Sequence, residues 1–558
     1  MAFDLLITNG TVIDGLGGKR ITAAIGVKDG RIAAIGDAGG AAAATIDARG
    51  QIVCPGFVDP HTHYDAQISW DSVLAPSAEH GVTSVVMGNC GVGLAPCRPG
   101  DHQLLIQDLI NVEGMSEQVL TAGVKWDWES FPDYMDAAQR RGSGINLAFL
   151  VPLAPLRTYV LGREATQRAA TANETAEIAR LLREAIEAGA WGFSTTANPA
   201  HIGYQGKTLA ARPASRDELI AYAGVLKQSG RGVIELSVIK RYSTMADDEF
   251  ELVDFLLTHS GRPVTWLSLH NHIDKPGGTQ EVLRKADPLY RRGAIPQVMC
   301  RPLMQEFTLR TPGILNEITA AKSVFNLPRE KQMEIYADPA FRDGIREELK
   351  LGRKFTNQAQ HLIVHKAADR ALVKYENMTI GEVAKEWGCD PLDAFFDFGL
   401  KDNIETQFVA PRANNDKARI PELISDPRTM IGLSDAGAHV DMVYEAGYTT
   451  YILGTWVREK KAMELEYAIK RMTSEPADFF GLKDRGRLVV GAAADIVIFD
   501  EQKINSAERP QPISDLPAGG TRLHSGAEGI SHVIVNGRTV FRDNQHTGEL
   551  PGVVLRSR

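Results

Sequence analysis

Eight short apolar runs, each followed by a longer stretch of helical character, fill the middle of the 558-residue chain. They are QIVCPGFVDP (51–60), VTSVVMGN (82–89), NLAFLVP (146–152), GAWGFSTT (189–196), GVIELSV (232–238), PVTWLSLH (263–270), IPQVMCR (295–301) and MIGLSD (430–435). Parallel strands need crossover connections, so this alternation argues for a parallel α/β sheet, and eight such units are the number that closes a (β/α)8 TIM-like barrel. Barrels of this kind carry their chemistry on the loops behind the strands, which directs attention to the residues directly after each run.

The termini follow a different grammar. DLLITNG, TVIDG, AAIGVKDG and RIAAIGD carry β-branched residues, and the first three close on Asn-Gly or Asp-Gly pairs, the dipeptides of tight hairpin turns. ADIVIFD (494–500) and HVIVNGRTVFRD (532–543) repeat the pattern, so residues 1–56 and 487–558 are expected to form one small β-sandwich domain, with 57–486 as the barrel. An Ala/Gly-rich linker is expected at 38–44 and a long insertion at about 302–428, containing helices in ADPAFRDGIREELKLG and MTIGEVAKEWG. TAEIARLLREAIEAG (175–189) has near-3.6 apolar spacing, with Asn173 as its expected N-cap and Gly189 as its stop.

Hydrophobic residues at 44% and charged residues at 23% are ordinary for a soluble globular chain and exclude collagen-like, disordered and coiled-coil classes. A net charge of -9 argues against nucleic acid and an anionic membrane as partners. No apolar run approaches the ~20 residues of a membrane span, and the N-terminus lacks the basic and apolar regions of a signal peptide, so a cytoplasmic location is expected. Five scattered cysteines with no CxxC pair suggest lone thiolates rather than a zinc ribbon or redox motif.

Three segments carry the candidate chemistry. In PGFVDPHTHYD (55–65), His61 and His63 stand two residues apart on an extended chain and point the same way, so they can chelate one ion; the bland alternative is a turn with two exposed imidazoles. In VVMGNCGVG (85–93), Cys90 follows an apolar run and offers a thiolate that could bridge two zinc ions, or a buried inert thiol. In TMIGLSDAGAHVD (429–441), Asp435 suits the base that takes a proton from water and delivers it to a leaving amine, or else a helix N-cap, and His439 follows as a substrate-binding candidate. His270 or His272, ending the sixth run, could add a ligand, and Glu235 is a carboxylate inside an apolar run, costly unless paired or metal-bound. Arg157 and Arg301, behind the third and seventh runs, are placed to hold a substrate carboxylate. His361 and His365 fall outside the eight-run register and read as structural.

With these motifs laid out, the sequence resembles the amidohydrolase superfamily and, within it, the D-aminoacylase (N-acyl-D-amino-acid deacylase) family, nearly end to end; GNCGVGLAP, VEGM and WDWESF are its most specific segments. The resemblance implies a metal-bearing barrel with a small β-sandwich, one or two Zn2+ ions, His61 and His63 as first-strand ligands, Cys90 as the bridging thiolate and Asp435 as acid/base. The implied activity is zinc-dependent cleavage of N-acyl amino acids, N-acyl-D-amino acids foremost, or related secondary amides, with a small-molecule amide as partner and a homo-oligomer allowed. Departures are equally specific. The family's fifth-strand Thr-His is replaced by GVIELSVIK, with Glu235 the candidate replacement ligand; Ser-His-His-Lys on the sixth becomes Ser268-Leu269-His270-Asn271; and the third-strand histidine is absent from LVPLAPLR. Two rival readings are a cyclic-amide hydrolase of hydantoinase or dihydroorotase type, against which the lysine-free fourth run speaks, and a catalytically inactive oligomeric scaffold.

Overall fold

The computed structural model describes residues 2–557 except 316–317, 326, 351–358, 441–443 and 508–509. Both ends of the chain meet in one nine-stranded sheet. Ile52–Pro55 lies at its seam, parallel to Thr11–Val12 on one side and antiparallel to Ile496–Phe499 on the other. Two of the glycine pairs make the hairpins their sequences predict: Asp29-Gly30 joins Ile21–Lys28 to Arg31–Gly36, and Asn536-Gly537 joins Ile530–Val535 to Arg538–Arg542, all four residues at positive φ. Asn9-Gly10 does not. It forms a bulge inside the single strand Phe3–Val12, where a Cβ on Gly10 would lie 2.4 Å from Val53 Cγ2. The expected linker at 38–44 is also partly strand, since Ala42–Asp47 pairs in parallel with the first strand.

The eight apolar runs form the barrel. Its strands are Phe57–Asp59, Val82–Met87, Asn146–Phe149 continued by Val151–Pro152, Gly192–Thr196, Val233–Ser237, Val264–Leu267, Ala294–Val298 and Met430–Ile431. A parallel bridge between Thr62 and Ala436 joins the first to the eighth and closes the ring. The first run divides at Gly56, which passes so close to Thr83 that a Cβ would sit 2.1 Å from its Oγ1; the residues before it belong to the terminal sheet.

The helix in the third crossover runs Ala172–Ala188 and is capped by Thr171, not Asn173: Thr171 and Glu174 form a reciprocal capping box that leaves Asn173 inside the first turn. Gly189 ends it in the left-handed conformation. Between the seventh and eighth strands the insertion builds a three-stranded antiparallel sheet, Leu303–Phe307, Gln407–Ala413 and Ile363–Lys366, over its own aromatic core of Phe307, Tyr336, Phe395, Phe396, Phe398 and Phe408. Its expected helices appear as Pro339–Lys350 and Ile380–Trp387; Leu351 and Gly352 lie outside the described residues. His361 hydrogen-bonds Asp274 at 3.3 Å, and His365 sits on an insertion strand. Among the described residues no helix is long and apolar enough to cross a membrane.

Candidate active site

The loop behind the first barrel strand is locked from both sides. Asp59 Oδ1 accepts the His61 N–H at 3.1 Å, Thr62 donates twice to the Val86 carbonyl, and the His63 N–H reaches the Ala436 carbonyl at 2.7 Å. With the backbone fixed, both imidazoles face the barrel axis, 0% and 1% exposed, with Nε2 atoms 3.2 Å apart. The reading of two exposed rings is overturned.

Cys90 enters from the second strand. Its backbone is left-handed (φ 56°), its N–H donates to Glu235 Oε2 at 2.7 Å, and its Sγ lies 3.7 Å from His61 Nε2. Gly91 must follow, because a Cβ there would stand 3.0 Å from Thr195 Cα at a φ of +73°. Asp435 completes the cluster from the eighth strand, Oδ1 lying 3.3 Å from His61 Nε2 and 3.6 Å from His63 Nε2. Among the described residues no helix begins behind it, so the N-cap reading has no helix to serve. Cys90, Asp435 (φ 47°) and His439 (φ 48°) are left-handed without being glycine, a conformation costing about 1–3 kcal/mol each that accumulates where surrounding structure imposes it.

His61, His63 and Cys90 place their donor atoms within 4.8 Å of one another, a group able to hold a metal ion. The electrostatics suit a cation. Burial, then the carboxylates of Glu235, Glu113 and Asp435, push the Cys90 thiol well above its ordinary value. Burial would raise Asp435, yet hydrogen bonds and charge from the two histidines hold it well below the carboxylate range. Burial would lower His63, but Glu113 and Asp435 outweigh it and raise the ring to about 9, whereas burial prevails at His61 and lowers it. A dication would reverse the balance at Cys90 and favour a thiolate ligand.

The remaining candidates sort by position. Glu235 is buried at the site, raised to about 8 by burial, its Oε1 without a partner. His270 is buried, lowered to about 4, with its Nδ1 unpartnered and its ring edge-on to Tyr242; it feels the Asp435 charge but stands outside the three-residue group. His272 stacks on Tyr242. His439 is half-buried and donates its N–H to the Glu113 carbonyl at 2.7 Å. Arg301 is paired with Glu445 at 3.1 Å and lies over the Tyr451 ring; Glu445 in turn lines a hollow shared with Asp435, Gln67, Tyr444 and Arg522. Arg157 is corrected outright: the helix Leu153–Leu161 starts directly behind the third strand and turns its guanidinium into the core, ion-paired with Glu218 and donating to the carbonyls of Ala210 and Arg168. Nothing of it is left for a substrate.

Glu113 was not singled out from the sequence. Its Oε1 lies 3.5 Å from His63 Nδ1 and it is 3% exposed. It is the last residue of the helix His102–Glu113, where the macrodipole disfavours an acid, and that misplacement was the available signal.

Residues 44–541 match the profile of the amidohydrolase family. The chain is 29% identical to N-acyl-D-glutamate deacylase of Alcaligenes xylosoxydans xylosoxydans over 99% of its own length and 96% of the relative's. It is also 29% identical to D-aminoacylase of the same organism, over 99% and 97%. The solved structure of N-acyl-D-glutamate deacylase from Bordetella bronchiseptica, complexed with zinc and a phosphonate inhibitor that mimics the tetrahedral intermediate, superposes with a TM-score of 0.67 at 26% identity, covering 100% of both chains. With its barrel, its His-Cys cluster and a family match running from one arm of the terminal sheet to the other, the chain belongs to the amidohydrolase family and is a hydrolase of amide C–N bonds.

Proposed function

We propose that the protein is a zinc-dependent hydrolase of small secondary amides, a class that includes N-acyl amino acids. The observation that carries this reading is the meeting of His61 Nε2, His63 Nε2 and Cys90 Sγ beside Asp435 Oδ1, a nitrogen, sulfur and oxygen donor set of the kind zinc takes. The names of the relatives, N-acyl-D-glutamate deacylase and D-aminoacylase, support an amide with an acyl group on nitrogen. Glu235, through its buried unpartnered Oε1, and His270, through an equally unpartnered ring nitrogen, are the proposed additional ligands.

Zinc held there would supply Lewis acidity, polarising the scissile carbonyl and acidifying water. Asp435, kept ionised by two imidazoles, accepts the proton of the attacking water and hands it to the departing nitrogen as the C–N bond breaks. Glu113 places its charge 3.5 Å behind His63 Nδ1, and Glu235 fixes the Cys90 backbone by accepting its N–H. The five free cysteines support a cytoplasmic location as part of the same proposal.

The test is a zinc-loaded screen of N-acyl-D-amino acids, N-acyl-L-amino acids and aryl amides, reading released amine. Release from at least one group, abolished by chelation, is expected; release from none contradicts the proposal.

A further inference from the structure

The hollow beside Asp435 continues outward. It shares Gln67, Gly437 and Val440 with a cleft of about 310 Å3, open to solvent and walled by Trp70, Met115, Val119, Leu120 and Leu516. That volume is within the range of small-molecule sites, which are mostly apolar with a few polar groups. Gly437 and Val440, in the backbone that follows Asp435, line both spaces. A leaving nitrogen that takes its proton from Asp435 lies within its hydrogen-bond reach, and a substituent directed along Gly437 and Val440 meets this cleft.

Charge then decides what the substituent can be. Among the described residues lining the two spaces, the one cation is Arg522, and its guanidinium is engaged by Asp515 at 2.7 and 2.9 Å and by the Ala75 carbonyl at 2.6 Å. Asp435 and Glu445 face the inner hollow, and Arg301 behind Glu445 is occupied by it. A carboxylate on the amine side would be desolvated beside the ionised Asp435, with Arg301 and Glu445 engaged by each other and no free cation to receive it.

We propose, resting on the amide-hydrolase reading, that this cleft binds an apolar, uncharged group on the nitrogen side of the amide. The preferred substrates are then N-acyl aryl- or aralkylamines rather than N-acyl amino acids bearing a free carboxylate.

The experiment uses the full-length zinc-loaded protein and two substrate series, one varied at the amine (methylamine, aniline, 1-naphthylamine, D- and L-phenylalanine, all N-acetylated) and one varied in acyl length. Expected is a kcat/KM for the naphthylamide at least about tenfold above either N-acetylphenylalanine, a discrimination apolar pockets commonly supply. Thr521→Trp, at the exposed rim of the cleft, should reduce that preference. Preference for the phenylalanine derivatives, or dependence on the acyl chain alone, overturns the proposal. Should no amide be cleaved, the hydrolase reading fails separately, and binding still decides the cleft. Free 1-naphthylamine should change the protein's fluorescence saturably, an effect removed by Trp70→Phe and weakened by Thr521→Trp; no such change also overturns it.

Discussion

His63 lies between two carboxylates from different parts of the barrel, Glu113 Oε1 3.5 Å from Nδ1 and Asp435 Oδ1 3.6 Å from Nε2. In the proposed mechanism the first contact lies behind the ring and the second on the side of the chemistry. Carboxylate partners behind metal-binding imidazoles typically contribute 10–100-fold to metal affinity. Glu113→Gln should therefore weaken zinc binding by about that factor in chelator competition, and an unchanged affinity would remove Glu113 from the site.

Asp435→Asn keeps the shape of the side chain and removes its proton-accepting oxygen. Zinc content should match the parent, while kcat falls by about 10²–10⁴, the usual share of positioned acid–base catalysis. Near-normal turnover would take Asp435 out of the mechanism.

Arg157 is assigned a structural duty, and this separates it from a substrate-binding residue. Arg157→Met leaves the buried Glu218 without its cation, with only the Ala170 and Ser215 N–H groups and the Tyr222 hydroxyl to stabilise it, at a cost of up to about 3–5 kcal/mol in unfolding free energy. The double variant Arg157→Met/Glu218→Gln, which removes both charges and keeps an acceptor for the Ala170 and Ser215 N–H groups, should recover part of that, and KM of the folded enzyme should not move in either. A raised KM with normal stability would contradict the assignment.

How much was legible in the sequence depended on whether the meaning of a residue is local. His61 and His63 could be read because two residues on an extended chain share a face, and Asp435 because it ends an apolar run. Glu113 could not, since only the closed barrel brings the end of one helix behind His63. Position behind a strand misled for Arg157, because a helix begins at Leu153 and its rotation aims the side chain away from the axis. Asn9-Gly10 misled for a related reason: positive φ serves a bulge as well as a turn, and the close approach of Val53 chose the bulge.

Glu79 gives a stability prediction remote from the metal cluster. Burial raises its carboxyl to about 7, against the opposing charge of Arg522. The folded state then binds the proton more tightly than the unfolded chain, so this group's contribution is present at low pH and is lost as pH rises from about 4.5, the unfolded value, through about 7. Glu79→Gln, which cannot ionise, should gain in Tm relative to the parent between pH 5.5 and pH 8. A constant Tm difference across that window would contradict the shift.

The central claim is that His61, His63 and Cys90 hold a divalent metal beside Asp435. Cobalt titration of the metal-free protein tests it most directly, because a thiolate bound to cobalt gives a charge-transfer absorption that nitrogen and oxygen ligands do not. The expected result is a saturable thiolate-to-cobalt band that Cys90→Ser abolishes and His61→Ala or His63→Ala weakens. No band in the parent protein, or a band that survives Cys90→Ser, would contradict it.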